Sequence, residues 1–167
     1  MTGPCGECGA RGCEELFYGL LALDHSRAEP WGPLHGVSVS CFLLQHPGRL
    51  PGDGGAAARA LLRAYLDGGL PAVERLIGRA RAANSHRMAG GAAAHWTAAS
   101  RAAPNGAAPG AVSRPSAVPA GREAPRGGFA VTIEQVAQGG AFPAAGFPGR
   151  VRDWAAATLE AWGAHGA

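Results

Sequence analysis

The sequence contains no lysine, so all fifteen of its basic residues are arginine, and it has only two isoleucines and two asparagines. This bias is typical of GC-rich codon usage, and we expect a bacterial protein. Aromatic residues make up 7% of the 167 residues, and the 47% of hydrophobic residues is dominated by small alanines. Because small side chains bury little area, the usable core is limited. One domain is therefore the expectation.

Long hydrophobic runs are also missing. No apolar stretch approaches the length of a membrane-spanning helix, and residues 1–10 lack the basic and apolar regions of a signal peptide. We therefore expect a cytoplasmic protein with no membrane association. Thiols stay reduced in that compartment, so Cys41 needs no disulfide partner and is predicted to be a small buried apolar residue.

Charge is unevenly distributed along the chain. Residues 75–126 contain eight arginines and a single acidic residue, whereas the segments on either side are slightly acidic. A basic stretch can attract nucleic acid through its charge alone. The stretch coincides with low-complexity sequence, however, so a solvated linker is the preferred interpretation. Nucleic-acid binding is retained as a weaker alternative that would depend on Arg75, Arg79, Arg81 and Arg87.

Helical periodicity dominates the rest of the sequence. Apolar spacing predicts helices over residues 14–23, 33–45, 55–66 and 71–83, with Asp53 as a cap of the third and Gly68-Gly69 as its end. Thr132 begins a capping-box pattern, and Pro148 begins a last amphipathic helix. On that helix Trp154 and Trp162 share one stripe, which favours a packing role. Residues 129–133 could alternatively form a short strand.

These elements predict a mainly α protein, a small helical bundle with an N-terminal cysteine-rich zinc knuckle. Residues 1–89 should form the knuckle and the helical core. Residues 90–128, rich in Ala, Gly, Pro and Arg, bury too little to offset the entropy of ordering and are predicted to be a disordered linker. Residues 129–167 should add helices that pack on the same core.

The clearest chemical signal is a group of cysteines near the start of the sequence. Cys5 and Cys8 form a CxxC pair, and Cys13 follows five residues later. Reduced thiolates at this spacing are typical of metal ligands. Two helices joined by a short loop usually pack antiparallel, which should bring the start of helix 14–23 beside His46. The sequence therefore predicts a closed, tetrahedral zinc site made of Cys5, Cys8, Cys13 and His46.

Two alternatives to this zinc site stay open. The cysteines could be reduced thiols that hold no ion, or the CxxC pair could be redox-active, although it lacks the strand-to-helix setting of thioredoxin-like folds. His35 lies eleven residues before His46, or about 16 Å along a continuous helix, so one ion cannot bind both. The sequence does not settle which of the two is the fourth ligand.

A second cluster is expected at the opposite end of the same helical hairpin. Asp24, His25 and His35 should meet there if the loop folds back, and they could form an open metal site of the kind that catalysis needs. Exposed polar residues around a loop are the simpler interpretation. The remaining histidines, His86 and His95 and His165, are isolated in the sequence and are expected at the surface.

Several motifs together resemble an uncharacterised bacterial family, a domain of unknown function. The family pattern contains CPxCG, a later cysteine before a helix, VHxLTVDxYxxQHP and a C-terminal RVRxWxxxxWxAW. The corresponding segments here are CGECG at residues 5–9, LHGVSVSCFLLQHP at residues 34–47 and RVRDW at residues 150–154. The resemblance covers the first fifty and the last twenty residues, and it implies functional positions at Cys5, Cys8, Cys13, His35 and His46.

The sequence departs from that pattern at two positions. Ser40 stands where the family has Asp, and Phe42 stands where it has Tyr. If the carboxylate is a ligand or a base in relatives, this chain has lost it. The resemblance implies no reaction and does not extend to Asp24 or His25.

The sequence thus favours a small zinc-binding protein in which the metal is mainly structural and which acts as a binding or accessory module. The alternative is a metal-dependent enzyme that uses His35 near the hairpin loop, and whether the protein is an enzyme stays open. The sequence names no substrate, protein partner or oligomeric state.

Overall fold

The computed structural model describes the backbone of residues 3–91 and 124–163, and their side chains except those of residues 85–91. The protein is mainly helical, as predicted, and no strand is formed in these residues, so residues 129–133 do not form the alternative strand. The described α-helices are α1 (Cys13–His25), α2 (His35–Leu44), α3 (Ala56–Gly91), α4 (Ile133–Ala137) and α5 (Phe147–Ala161).

The chain divides into two compact units, residues 1–76 with 123–167 and residues 77–122. All features of the core discussed below belong to the first unit. Most of the predicted linker 90–128 lies outside the described residues, and the predicted domain boundaries stay predictions. Within residues 124–128 the backbone N–H of Arg126 donates a 2.7 Å hydrogen bond to the carbonyl of Ala161 at the end of α5.

Helices α1 and α2 form the predicted antiparallel hairpin. At one end Asp24 of α1 contacts His35 at the start of α2, and at the other end Cys13 of α1 contacts His46 just after α2. Between these two ends the Phe17 ring stacks on the Phe42 ring of α2, with centroids 3.8 Å apart and planes 5° from parallel. The pairing of apolar faces thus fixes the register that brings both polar ends together.

Helix α3 begins close to Asp53 and is interrupted at Gly68-Gly69, as the sequence predicts. Asp53 accepts hydrogen bonds from the backbone N–H groups of Gly55 at 3.0 Å and Ala57 at 3.1 Å. Gly68 and Gly69 have non-helical dihedral angles. Segment α3 therefore consists of the two predicted helices with a kink between them. Helical spacing in the segment beyond the kink predicts that Val73 and Ile77 both point inward. Val73 is buried as predicted, but Ile77 is 37% exposed, so that part of the prediction is wrong.

The C-terminal segment packs on α2 through α5. Thr132 forms the predicted capping box with Gln135, whose side chain accepts a 2.8 Å hydrogen bond from the Thr132 backbone. Trp154 is fully buried and Trp162 is nearly so, as expected of packing residues. The Trp162 indole N–H donates to the carbonyl of Leu44 at 3.0 Å, which anchors the end of α5 to the end of α2.

A buried amide makes a second link between α2 and the C-terminal segment. Gln45 is 1% exposed, and its Nε2 donates to the Val131 carbonyl at 2.8 Å and to Thr158 Oγ1 at 3.0 Å. Buried polar groups are stable only when paired in this way. Because His46 follows directly, this link also positions the histidine.

We expect a Gln45→Leu protein to lose about 2–4 kcal/mol of unfolding free energy, because the buried Thr158 hydroxyl and the partly buried Val131 carbonyl would lose their donor. Urea denaturation followed by circular dichroism measures this loss. Tyr18→Phe removes an exposed hydroxyl and is the control, with an expected change below about 0.5 kcal/mol. Equal denaturation midpoints for the two variants would contradict the claim that the Gln45 hydrogen bonds stabilise the fold.

Candidate metal centre

Three thiols and one imidazole converge at the open end of the α1–α2 hairpin. Cys5 and Cys8 lie in the loop before α1, Cys13 is the first residue of α1, and His46 follows α2. One ligand atom from each of these four residues lies within 4.8 Å of all the others. The four residues that the sequence predicted are therefore the ones that the fold brings together, and the group could hold a metal ion.

The loop that carries the first two cysteines is closed by its own backbone. The Cys5 amide donates to the Ala10 carbonyl and the Gly9 amide donates to the Cys5 carbonyl, each at 2.9 Å. Gly9 and Gly12 have φ values of 77° and 58°, a left-handed conformation that glycine adopts without strain. The two glycines thus let the chain reverse tightly enough to direct both thiols toward Cys13.

His46 is oriented as a ligand. The ring is buried at 2% exposure, and its Nδ1–H donates to the Phe42 carbonyl at 2.7 Å, which leaves the Nε2 lone pair for a metal. Nε2 lies 3.4 Å from Cys13 Sγ. Typical zinc bond lengths in a tetrahedron place a nitrogen and a sulfur ligand about 3.6 Å apart. The observed separation is close to that edge length.

The thiols lie in surroundings that disfavour an isolated negative charge. Burial raises the pKa of Cys8 to about 12, and burial also raises the pKa of Cys13. Burial acts in the same direction on the pKa of Cys5, but hydrogen bonds from the Cys8 and Glu7 backbone N–H groups and from the Cys13 and Cys8 side chains together outweigh it and lower that pKa. A divalent cation would supply the charge that buried thiolates need, so binding should release protons.

Polar contacts at the rim join the cysteine loop and α1 to the segment after His46. The Glu7 side chain accepts a 2.8 Å hydrogen bond from the Gly48 amide, and Arg49 pairs with Glu14 at 3.2 Å. Both contacts are exposed and therefore contribute little free energy. They place the cysteine loop and the start of α1 next to the segment that follows His46.

The second predicted cluster forms at the other end of the hairpin. His35 Nδ1 lies 3.1 Å from Asp24 Oδ2, and the rings of His25 and His35 are 6.0 Å apart. Burial raises the pKa of Asp24, while the hydrogen bond to His35 and the charges of both histidines oppose this rise. His35 is thus paired with Asp24 and takes no part in the cysteine group.

The other predicted residues lie elsewhere. Cys41 is fully buried outside the cysteine group, and burial raises the pKa of its thiol against a hydrogen bond with Thr158. Arg75, Arg79 and Arg81 are exposed on α3. The Arg87 and His86 side chains lie outside the described residues, as do His95 and His165, and the nucleic-acid alternative stays a prediction.

Sequence reasoning missed two residues that shape these sites. Gln45 anchors the chain just before His46 through its two hydrogen bonds. A polar amide at the end of an otherwise apolar helix was the sequence feature that could have indicated this role. Arg27 lines the cavity beside Asp24, His25 and His35. Arg27 adopts a φ of 55°, a conformation that no local sequence pattern predicts.

The fold and the site define a mainly helical protein with a three-cysteine, one-histidine group that could hold a metal ion. A family model matches residues 3–163, and the chain belongs to that family, the family of unknown function DUF5946. The predicted membership in an uncharacterised family is thus confirmed. Comparisons with curated proteins and with solved structures find no match.

The two departures from the expected family pattern are both buried in α2. Phe42 stacks on Phe17, with ring centroids 3.8 Å apart, and also packs against the His46 ring, with centroids 4.0 Å apart and planes tilted by 30°. A ring at this position therefore supports the imidazole. Ser40 is 6% exposed and does not belong to the cysteine group.

No helix in the described parts of the chain combines the length and the apolar composition that crossing a bilayer requires.

Proposed function

We propose that this protein binds one zinc ion through Cys5, Cys8, Cys13 and His46 and that the ion stabilises its fold. The observation that carries the proposal is the approach of four ligand atoms to within 4.8 Å of one another. Three sulfurs and one nitrogen are a ligand set that zinc favours in structural sites. Iron–sulfur clusters typically take four cysteines, which makes them a poorer fit to this group.

The closed character of the group supports a structural role. Four protein ligands complete a tetrahedron, so no coordination position remains for a water or a substrate. Cys8 is 5% exposed and His46 is 2% exposed, which further limits access to the ion. The ion would join the loop before α1 to the end of α2, and its binding free energy would add to folding.

We assign the zinc-stabilised chain to a bacterial cytoplasm, where reduced thiols can serve as ligands. Its role there is that of a small binding or accessory module, with no chemistry at the cysteine group. The second candidate function, a metal-dependent enzyme that uses His35, is supported by one specific contact, the hydrogen bond between His35 and the buried Asp24.

Removal of zinc is expected to lower the melting temperature by roughly 10 °C, because a ligand present at about a thousandfold above its Kd stabilises by about 4 kcal/mol. Thermal melts by circular dichroism, before and after treatment with a zinc chelator, measure the shift. Addition of zinc should restore the original value, whereas magnesium should not. An unchanged melting temperature in a sample shown to be metal-free would contradict a structural role.

A further inference from the structure

The closed end of the α1–α2 hairpin contains an open cavity of about 320 Å³. Its lining residues come from the end of α1, the connecting loop and the start of α2: Asp24, His25, Arg27, Gly32 and His35. A Cβ on Gly32 would lie 2.7 Å from the Arg27 backbone, so the loop closes tightly at this point only because that residue is glycine. The close approach fixes the loop that joins the two histidine-bearing helices.

Both histidines in this cavity have the same nitrogen occupied. His25 Nδ1 lies 2.7 Å from the Leu21 carbonyl, which can only accept, so this nitrogen carries the hydrogen. His35 Nδ1 lies 3.1 Å from the Asp24 carboxylate, which accepts in the same way when ionised. A neutral imidazole that donates from Nδ1 has its lone pair on Nε2. These are the outer contacts that metal-binding histidines typically make.

We propose that His25 and His35 form a second metal site, in which their Nε2 atoms bind one divalent transition-metal ion such as zinc or nickel. Nε2 bonds of about 2.0–2.1 Å place each ring centroid about 3.2 Å from the ion, so two rings on one ion can be up to about 6.4 Å apart. The observed centroid separation is 6.0 Å. The observed separation therefore lies within the range that a shared ion allows.

Asp24 is the positioning residue of this site. Its side chain is fully buried, whereas that of His35 is 48% exposed, so the carboxylate holds the ring from inside the protein and leaves its outer edge accessible. Its second oxygen, Oδ1, is also buried and has no hydrogen-bond partner among the described residues. A buried carboxylate in this state is costly for folding. A carboxylate that orients a metal-binding histidine accounts for its presence.

The lone pairs favour a cation over an anion as the primary ligand, because two neutral Nε2 atoms would repel an anion. Arg27 lies in the same cavity, where its positive charge would favour an anionic third ligand on the ion. With only two protein ligands the site stays open to water or to such an anion, in contrast to the closed cysteine group. The second site does not depend on the function proposed for the cysteines, since the two sites share no residue.

Calorimetric titration of the full chain, already loaded with one equivalent of zinc, tests the second site. We expect a further equivalent of zinc to bind with a Kd on the order of micromolar, which the His25→Ala and His35→Ala changes abolish. Asp24→Asn should weaken this step about 10–100-fold. Asp153→Asn, an equivalent change at an exposed position of α5, is the matched control and should leave the step unchanged.

Retention of the second equivalent in the His25→Ala/His35→Ala double variant would overturn the proposal. So would binding of inorganic phosphate to the cavity without metal, which would identify an anion site instead. If a variant fails to fold, nitrogen-15 NMR of the histidine rings in the natural sequence decides, since zinc should shift the Nε2 signals of His25 and His35 and leave their Nδ1 signals protonated. Loss of the first equivalent in cysteine variants would concern the cysteine group alone.

Discussion

A Cys8→Ser protein is expected to bind zinc at least 100-fold more weakly than the natural sequence, which corresponds to about 2.7 kcal/mol or more. The change replaces a thiolate by a hydroxyl that is a poor zinc ligand at neutral pH, in a loop whose other cysteines remain in place. Because the ion joins this loop to the end of α2, the melting temperature should fall as well. Competition with a chromophoric chelator measures the affinity, and circular dichroism measures the melting temperature.

Cys41→Ala is the matched control for this change. Cys41 is as buried as any residue of the core but does not belong to the cysteine group. Its truncation should reduce stability by about 1–2 kcal/mol, the cost of a small cavity, and should leave zinc affinity unchanged. Loss of zinc from the Cys41 variant, or undiminished affinity in the Cys8 variant, would contradict the assignment of the ligands.

The second large effect is expected at His46. In a protein loaded with cobalt instead of zinc, three thiolates and one imidazole should give the intense visible absorption of a tetrahedral thiolate site. His46→Ala should reduce this absorption several-fold and weaken binding, because Nε2 is the atom that lies against Cys13 Sγ. The buried ring also packs against Phe42, so part of the accompanying loss of stability will come from packing.

His35→Ala should leave the same cobalt spectrum unchanged. His35 is paired with Asp24 at the opposite end of the hairpin, so a loss of stability from leaving the buried Asp24 carboxylate without this partner would be separate from the cobalt spectrum. The comparison of the two histidines decides which one completes the cysteine group. A spectrum that depends on His35 and not on His46 would show that the hairpin does not have the register described above.

The sequence was sufficient to predict the cysteine group because its parts are set by local rules. CxxC spacing brings two thiols together within one turn, and the antiparallel packing of two helices of similar length brings the start of one beside the end of the other. The starts of three helices followed, to within a residue or two, from Asp53, Thr132 and Pro148, each of which acts on its own neighbours. The break at Gly68-Gly69 was predicted for the same reason.

Features that depend on distant parts of the chain could not be predicted in this way. Gln45 binds Val131 and Thr158, which are 86 and 113 residues away, so nothing beside it in the sequence indicates its partners. The exposure of Ile77 depends on which neighbours cover the second half of α3, and its apolar spacing suggested burial. The contacts that His25 and His35 make through Nδ1 also depend on side-chain positions, which the spacing of residues in the sequence does not give.

The most direct test of the central claim, that Cys5, Cys8, Cys13 and His46 bind one zinc ion together, is X-ray absorption spectroscopy at the zinc edge. The sample is the full chain with one equivalent of zinc. We expect three sulfur neighbours at about 2.3 Å and one nitrogen neighbour at about 2.0–2.1 Å. A first shell made mainly of nitrogen and oxygen would contradict the claim.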